Sequence, residues 1–146
     1  MLSLRRSAAS SGPSSEAVNL LRGRLRAENG QVVAKVGTAS ITLPERVVPR
    51  PALARGDVVL GLRPEHLGDA ELAGADGRPT LILPVTLAEP VGAEVIVHCE
   101  LDAPPAAELI ARVDAHTAAA PGRTVTLAVE PEALYFFDPE TELALR

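Results

Sequence analysis

The sequence has no tryptophan, one cysteine, one lysine and three aromatic side chains in 146 residues. Each shortage excludes something. A single cysteine, Cys99, leaves no partner for an intrachain disulfide, which suits a reducing compartment. Scarce lysine and scarce aromatics, together with a net charge of −5, argue against nucleic acid as a partner. Phosphate neutralisation needs clustered cations, and single strands also want stacking rings. No apolar run approaches the ~20 residues that span a bilayer. The opening MLSLRRSAASSGPSSE lacks the apolar stretch of a secretory signal. A cytoplasmic location follows as the expectation, with the membrane reached only indirectly through partners.

Recognisable chemistry is missing too. No phosphate-cradling G-x-x-x-x-G-K-[ST] loop is present, and the one lysine, Lys35, falls in an alternating apolar run. His66, His98 and His116 are too far apart for metal-ligand spacing. Ser40 and the N-terminal serines sit in no nucleophile elbow. No catalytic constellation, cofactor or metal is expected.

Hydrophobic residues make up 47% of the chain, most of them Ala, Val and Leu, so the core must be aliphatic. Thirteen prolines and eleven glycines argue for many turns and against long helices. Residues 1–16 read as a disordered tail and residues 17–146 as one folded domain. From Leu20 onward short alternating runs dominate, the pattern of half-buried strands. Leu21–Leu25 and Val32–Val36 flank Asn29-Gly30, a hairpin turn in which both positions tolerate positive φ. Ile41–Leu43, Val58–Leu62, Leu81–Leu87, Val95–Leu101, Leu109–Val113 and Thr124–Val129 complete about eight strands. Residues 44–56 read as a loop and Leu67–Pro79 as a flexible connection. Short helical turns are expected near 64–67, 104–108 and 131–134, where proline begins a turn and glutamate follows. The fold class is therefore all-β, a small barrel or sandwich, in which closure would remove exposed sheet edges.

An internal echo stands out. Gly56-Asp-Val-Val-Leu-Gly-Leu-Arg-Pro64-Glu-His-Leu67 matches Gly122-Arg-Thr-Val-Thr-Leu-Ala-Val-Glu-Pro131-Glu-Ala-Leu134 in kind. Each is a turn glycine, an alternating strand, then Pro-Glu-x-Leu. The copies lie about 67 residues apart and point to two pseudo-repeated halves.

Single residues read blandly. Arg22, Arg24 and Arg26 alternate and share one strand face, read as a solvated surface. Cys99 falls on the apolar side of its strand, an inert buried thiol. His98 falls on the polar side, a solvent or interface histidine.

Four segments in order carry a family resemblance. They are Ala17-Val-Asn-Leu-Leu21, Gly56–Leu67 with its Leu-Arg-Pro-Glu-His, Val91-Gly-Ala-Glu-Val-Ile-Val-His98 with Leu101, and Leu134-Tyr-Phe-Phe-Asp-Pro-Glu-Thr141. Together they resemble the C-terminal regulatory, transport-associated OB (MOP-like) domain of sugar-type ABC-importer ATPase subunits. The nucleotide-binding domain has no counterpart here, and Glu142 stands where the family places glycine, so looser final residues are expected. The resemblance implies an OB-like barrel and a non-catalytic regulatory and dimerisation role in carbohydrate or glycerol-phosphate import. Implied partners are a second copy, the ATPase subunit of an importer and a regulatory protein. The expected contact surface is the loop Arg63, Pro64, Glu65 and His66 with the strand face of Glu94 and His98. One alternative is a small oxyanion- or sugar-binding barrel using Thr38, Ser40 and Arg63. A nucleic-acid-binding OB fold is the other, disfavoured by the acidic charge.

Overall fold

A computed structural model describes residues 18–102 and 107–146. The expected disorder of residues 1–16 and most of the turn expected at 104–108 lie outside the described residues. Ten strands are present among those described. They are β1 (Asn19–Glu28), β2 (Gln31–Val36), β3 (Ala39–Pro44), β4 (Asp57–Leu62), β5 (Leu67–Asp69), β6 (Thr80–Val91), β7 (Glu94–Leu101), β8 (Ala107–Asp114), β9 (Thr124–Val129) and β10 (Tyr135–Phe137). Two short helices interrupt them, α1 (Arg50–Arg55) and α2 (Ala70–Ala73).

Two five-stranded sheets form OB-like barrel halves. Sheet one runs β10-β4-β1-β2-β3 and sheet two β5-β9-β6-β7-β8. All pairings are antiparallel. In sheet two β5 packs beside β8, curling the sheet toward closure. Asn29 (φ 53) and Gly30 (φ 78) form the tight turn between β1 and β2, both in the positive-φ region that Asn and Gly tolerate.

Eight of the strands match the alternating runs. The other two, β5 and β10, span three residues each, too short for alternation to reveal. Residues 44–56 are not simply a loop, because α1 starts there on Pro51 in its first turn. The Leu67–Pro79 connection likewise holds β5 and α2, the latter capped by Asp69, whose carboxylate accepts the Glu71 amide proton at 2.9 Å.

The echo has a structural counterpart. Each copy supplies a strand (β4 or β9), a 3-10 turn (Pro64–His66 or Pro131–Ala133) and a short second strand (β5 or β10). Those second strands are exchanged. β5 pairs with β9, and β10 pairs with β4. The register is preserved: Gly68 faces Ala128 and Asp69 faces Leu127, while Tyr135 faces Gly61 and Phe136 faces Leu60. Shifting the first pair of contacts by 67 residues generates the second, with strands interchanged.

The core is one aliphatic cluster drawn from both sheets. Val32, Ala34, Leu43, Leu60, Val97, Leu109 and Leu127 are fully buried, and Phe136 is its single aromatic member. Burying side chains of this size stabilises by about 1.5–3 kcal/mol each before entropy is counted. The C-terminal residues are tied down rather than loose. Asp138 donates its amide proton to the Leu143 carbonyl at 2.9 Å, and Leu145 does the same to Phe136 at 2.7 Å. Glu142 takes φ 65, the left-handed conformation that a glycine would hold more cheaply, and donates to the Asp138 carbonyl at 2.8 Å.

Candidate functional site

The corner after β4 is set by its proline. Pro64 fixes the first 3-10 position and is buried, while Glu65 and His66 are left exposed. His66 closes the turn by donating its amide proton to the Arg63 carbonyl at 3.0 Å. Its own carbonyl accepts the Glu130 amide proton at 3.2 Å, which joins the two echo corners. The turn packs against β8 of sheet two, so this corner links the sheets.

Arg63 points outward from sheet one. Its guanidinium carbon stands 5.7 Å from the centre of the Tyr135 ring. Tyr135 stacks in turn on Phe137, with centroids 6.2 Å apart and an interplanar angle of 29°. Contact with the Tyr135 side chain foremost, and the Glu65 charge as a smaller influence, raise the Arg63 pKa above its ordinary value. The rings lie over β4 because Gly61 has no side chain. A Cβ there would meet Phe137 Cε2 at 3.0 Å and Tyr135 Cβ at 3.2 Å.

Glu94 and His98 stand on the outward face of β7, with β8 between them and the corner. Glu94 accepts from the Arg112 guanidinium at 2.6 Å. His98 has a carboxylate at each ring nitrogen: Glu89 Oε1 lies 2.9 Å from Nε2 and Glu108 Oε2 lies 3.2 Å from Nδ1. Both acceptors are satisfied together only when both nitrogens carry protons. The six candidate residues therefore occupy two places. Glu89 and Glu108 were not legible as partners of His98, since their positions depend on cross-strand register.

Thr38, Ser40 and Arg63 are not brought together. Ser40 lies on β3 and Arg63 follows β4, with β1 and β2 between them. That removes the side-chain cluster on which an oxyanion site would rest. A recess of about 360 Å³ lies elsewhere, lined by Asp69, Glu71, Arg123 and Thr124. Asp69 is already engaged there by the Glu71 amide and the Thr117 hydroxyl. Among the described residues no group of His, Cys, Asp and Glu side chains is placed to hold a metal. Among the described residues no helix is long and apolar enough to cross a membrane. Cys99 is buried, and burial pushes its thiol up to about 11, with the Glu108 charge adding to the shift. Arg22, Arg24 and Arg26 do share one exposed face, where Arg24 pairs with Asp57 at 2.9 Å and Arg26 with Glu28 at 3.4 Å.

Two family models match this chain. A TOBE domain model covers residues 60–137 and a MalK OB fold domain model covers residues 17–67. Among curated proteins, the chain is 29% identical over 136 residues to an oligosaccharides import ATP-binding protein of Bacillus subtilis, covering 90% of this chain and 35% of the relative. It is 39% identical over 88 residues to an sn-glycerol-3-phosphate import ATP-binding protein of Ruegeria, covering 60% of this chain and 23% of the relative. A sulfoquinovosyl glycerol transport ATP-binding protein of Agrobacterium fabrum is 35% identical over 89 residues, with 61% and 23% covered. The chain thus spans about a third or less of the length of these relatives.

Proposed function

The chain belongs to the TOBE domain family, and on that premise we propose that it is a non-catalytic regulatory and dimerisation module of an ABC importer's ATP-binding subunit. One observation carries this reading. The two family models tile residues 17–67 and 60–137, and the relatives that share this stretch are named as import ATP-binding proteins. Residues 17–137 are thus matched throughout by models of one kind of protein. Oligosaccharides and glycerol phosphates are the solutes named for the relatives, and the parent transporter takes a solute of that class. Its place is the cytoplasmic side of the membrane, reached through the transporter rather than through a span of its own.

Contact with a second copy or with the ATP-binding part runs through Arg63, Pro64, Glu65 and His66 and through Glu94 and His98. The corner suits docking because buried Pro64 holds Glu65 and His66 rigidly at the surface. His98 suits it because its ring is fixed between two carboxylates before any partner arrives.

The test has two arms. A clean preparation should hydrolyse no ATP above background, and light scattering over a concentration series should show a dimer. His66→Glu with His98→Glu should weaken that dimer without loss of β-sheet circular dichroism. ATP turnover, or a strict monomer at millimolar concentration, refutes the corresponding half of the proposal.

A further inference from the structure

The outward face of sheet one carries a charge opposite to that of the whole molecule. Arg22, Arg24 and Arg26 project from β1, Lys35 from β2 and Arg63 from the end of β4. On these strands the acidic side chains are Asp57, paired with Arg24 at 2.9 Å, and Glu28, paired with Arg26 at 3.4 Å, and Arg22 is partnered as well. The chain as a whole is at −5. Register makes the concentration costly, because Arg24 lies directly across from Lys35. Like charges directly opposite on neighbouring strands destabilise a sheet. Nothing in the core requires that pairing, since both side chains point to solvent. Local rules broken at the surface are a mark of function.

Beside these cations stands Tyr135, 43% exposed yet immobilised between Arg63 and Phe137. Rigid tyrosine flanked by arginine is the composition that dominates binding energy at protein interfaces. We propose that this face docks an extended acidic protein segment, with carboxylates at alternate positions along the basic strand. Alternate residues of β1 repeat about every 6.8 Å, the spacing of alternate residues in any extended chain. Asp57 at 2.9 Å from Arg24 shows that a carboxylate fits this row. A nucleic acid suits the face less well. It would run past five cations into the field of an acidic molecule, and it would find a single exposed ring to stack on. The inference does not rest on the importer assignment, and it shares only Arg63 with the contact surface proposed above.

Nuclear magnetic resonance titration of the 15N-labelled chain with a short peptide alternating Glu and Leu tests it. Amide shifts should cluster on β1, β2 and β10, and affinity should fall as salt rises. Lys35→Glu and Tyr135→Ala should each weaken binding by about tenfold with the spectrum otherwise intact. Arg123→Glu, in the bend just before β9 of sheet two, should leave it unchanged. The proposal is overturned by absence of binding at millimolar peptide, by shifts confined to sheet two, or by Lys35→Glu without effect. An oligothymidylate binding this face as tightly as the peptide overturns it as well, since the partner would then be a nucleic acid.

Discussion

Asn19 pairs with the backbone of Ile110 as a neighbouring strand would. Its side-chain oxygen accepts the Ile110 amide proton at 2.8 Å, and its side-chain nitrogen donates to the Ile110 carbonyl at 2.8 Å and to the Leu62 carbonyl at 3.0 Å. One buried side chain on β1 thereby joins sheet one to β8 of sheet two.

Asn19→Ala should remove all three bonds and strand the Ile110 amide and carbonyl where water reaches poorly. The expected loss is about 2–3 kcal/mol in urea unfolding, since a buried group left unpaired costs about 1–3 kcal/mol. A change below half a kilocalorie per mole would mean that solvent replaces the amide and that the sheets are joined elsewhere.

Gly61→Ala should force the aromatic pair off β4. With Phe137 Cε2 at 3.0 Å and Tyr135 Cβ at 3.2 Å from the new methyl, overpacking should cost about 1–3 kcal/mol. Tyr135 is the single tyrosine and tryptophan is absent, so intrinsic fluorescence reports this site directly. An unchanged emission spectrum with unchanged stability would show that the rings do not need the glycine.

Cys99 should resist a thiol reagent in the native state and react once urea unfolds the chain. Its folded pKa, about 11, lies above the ordinary thiol value of about 8.5. The stability that comes from keeping the thiol neutral is therefore complete below that ordinary value. It is lost as pH rises from there through the folded value. Urea midpoints should decline across this alkaline window in the natural chain and less so in Cys99→Ala. Rapid native labelling at neutral pH would contradict the burial.

Asp138 works in the other direction. Its carboxylate accepts the Glu140 amide proton at 2.8 Å and the Thr141 amide proton at 3.3 Å. The Glu140 amide foremost, then the Thr141 amide and the Arg55 charge, hold its pKa below the ordinary carboxylate value. The resulting stability is present above that ordinary value and is lost as pH falls through the depressed one. Asp138→Asn should flatten the acid limb of the pH–stability curve and leave the alkaline limb alone. An acid limb as steep as before would place the titrating group elsewhere.

Much of the fold was legible because one period governs it. Eight strands announced themselves by alternation, and the Pro-Glu corners announced the 3-10 turns at Pro64 and Pro131. The strands β5 and β10 did not, because three residues contain too few alternations to count. Their partners were beyond reach for a different reason. The echo says that two halves are alike, but similarity alone does not say that each half lends its last strand to the other. The candidate surface shows the same limit. His98 was readable as outward-facing from its strand, whereas Glu89 and Glu108 reach it only through a register set by neighbouring hairpins. Asn19 sat in the resemblance as a motif letter, and its bonds to a residue 91 positions away carry no local signal.

The exchange of β5 and β10 has a mechanical consequence. Neither half can rotate away from its mate without unzipping a ladder that belongs to both. A load applied at the Glu65–His66 corner passes along covalent backbone into sheet two, and one applied beside Tyr135 passes into sheet one. The two repeats are thus laced together twice, once through the β5–β9 ladder and once through the β10–β4 ladder.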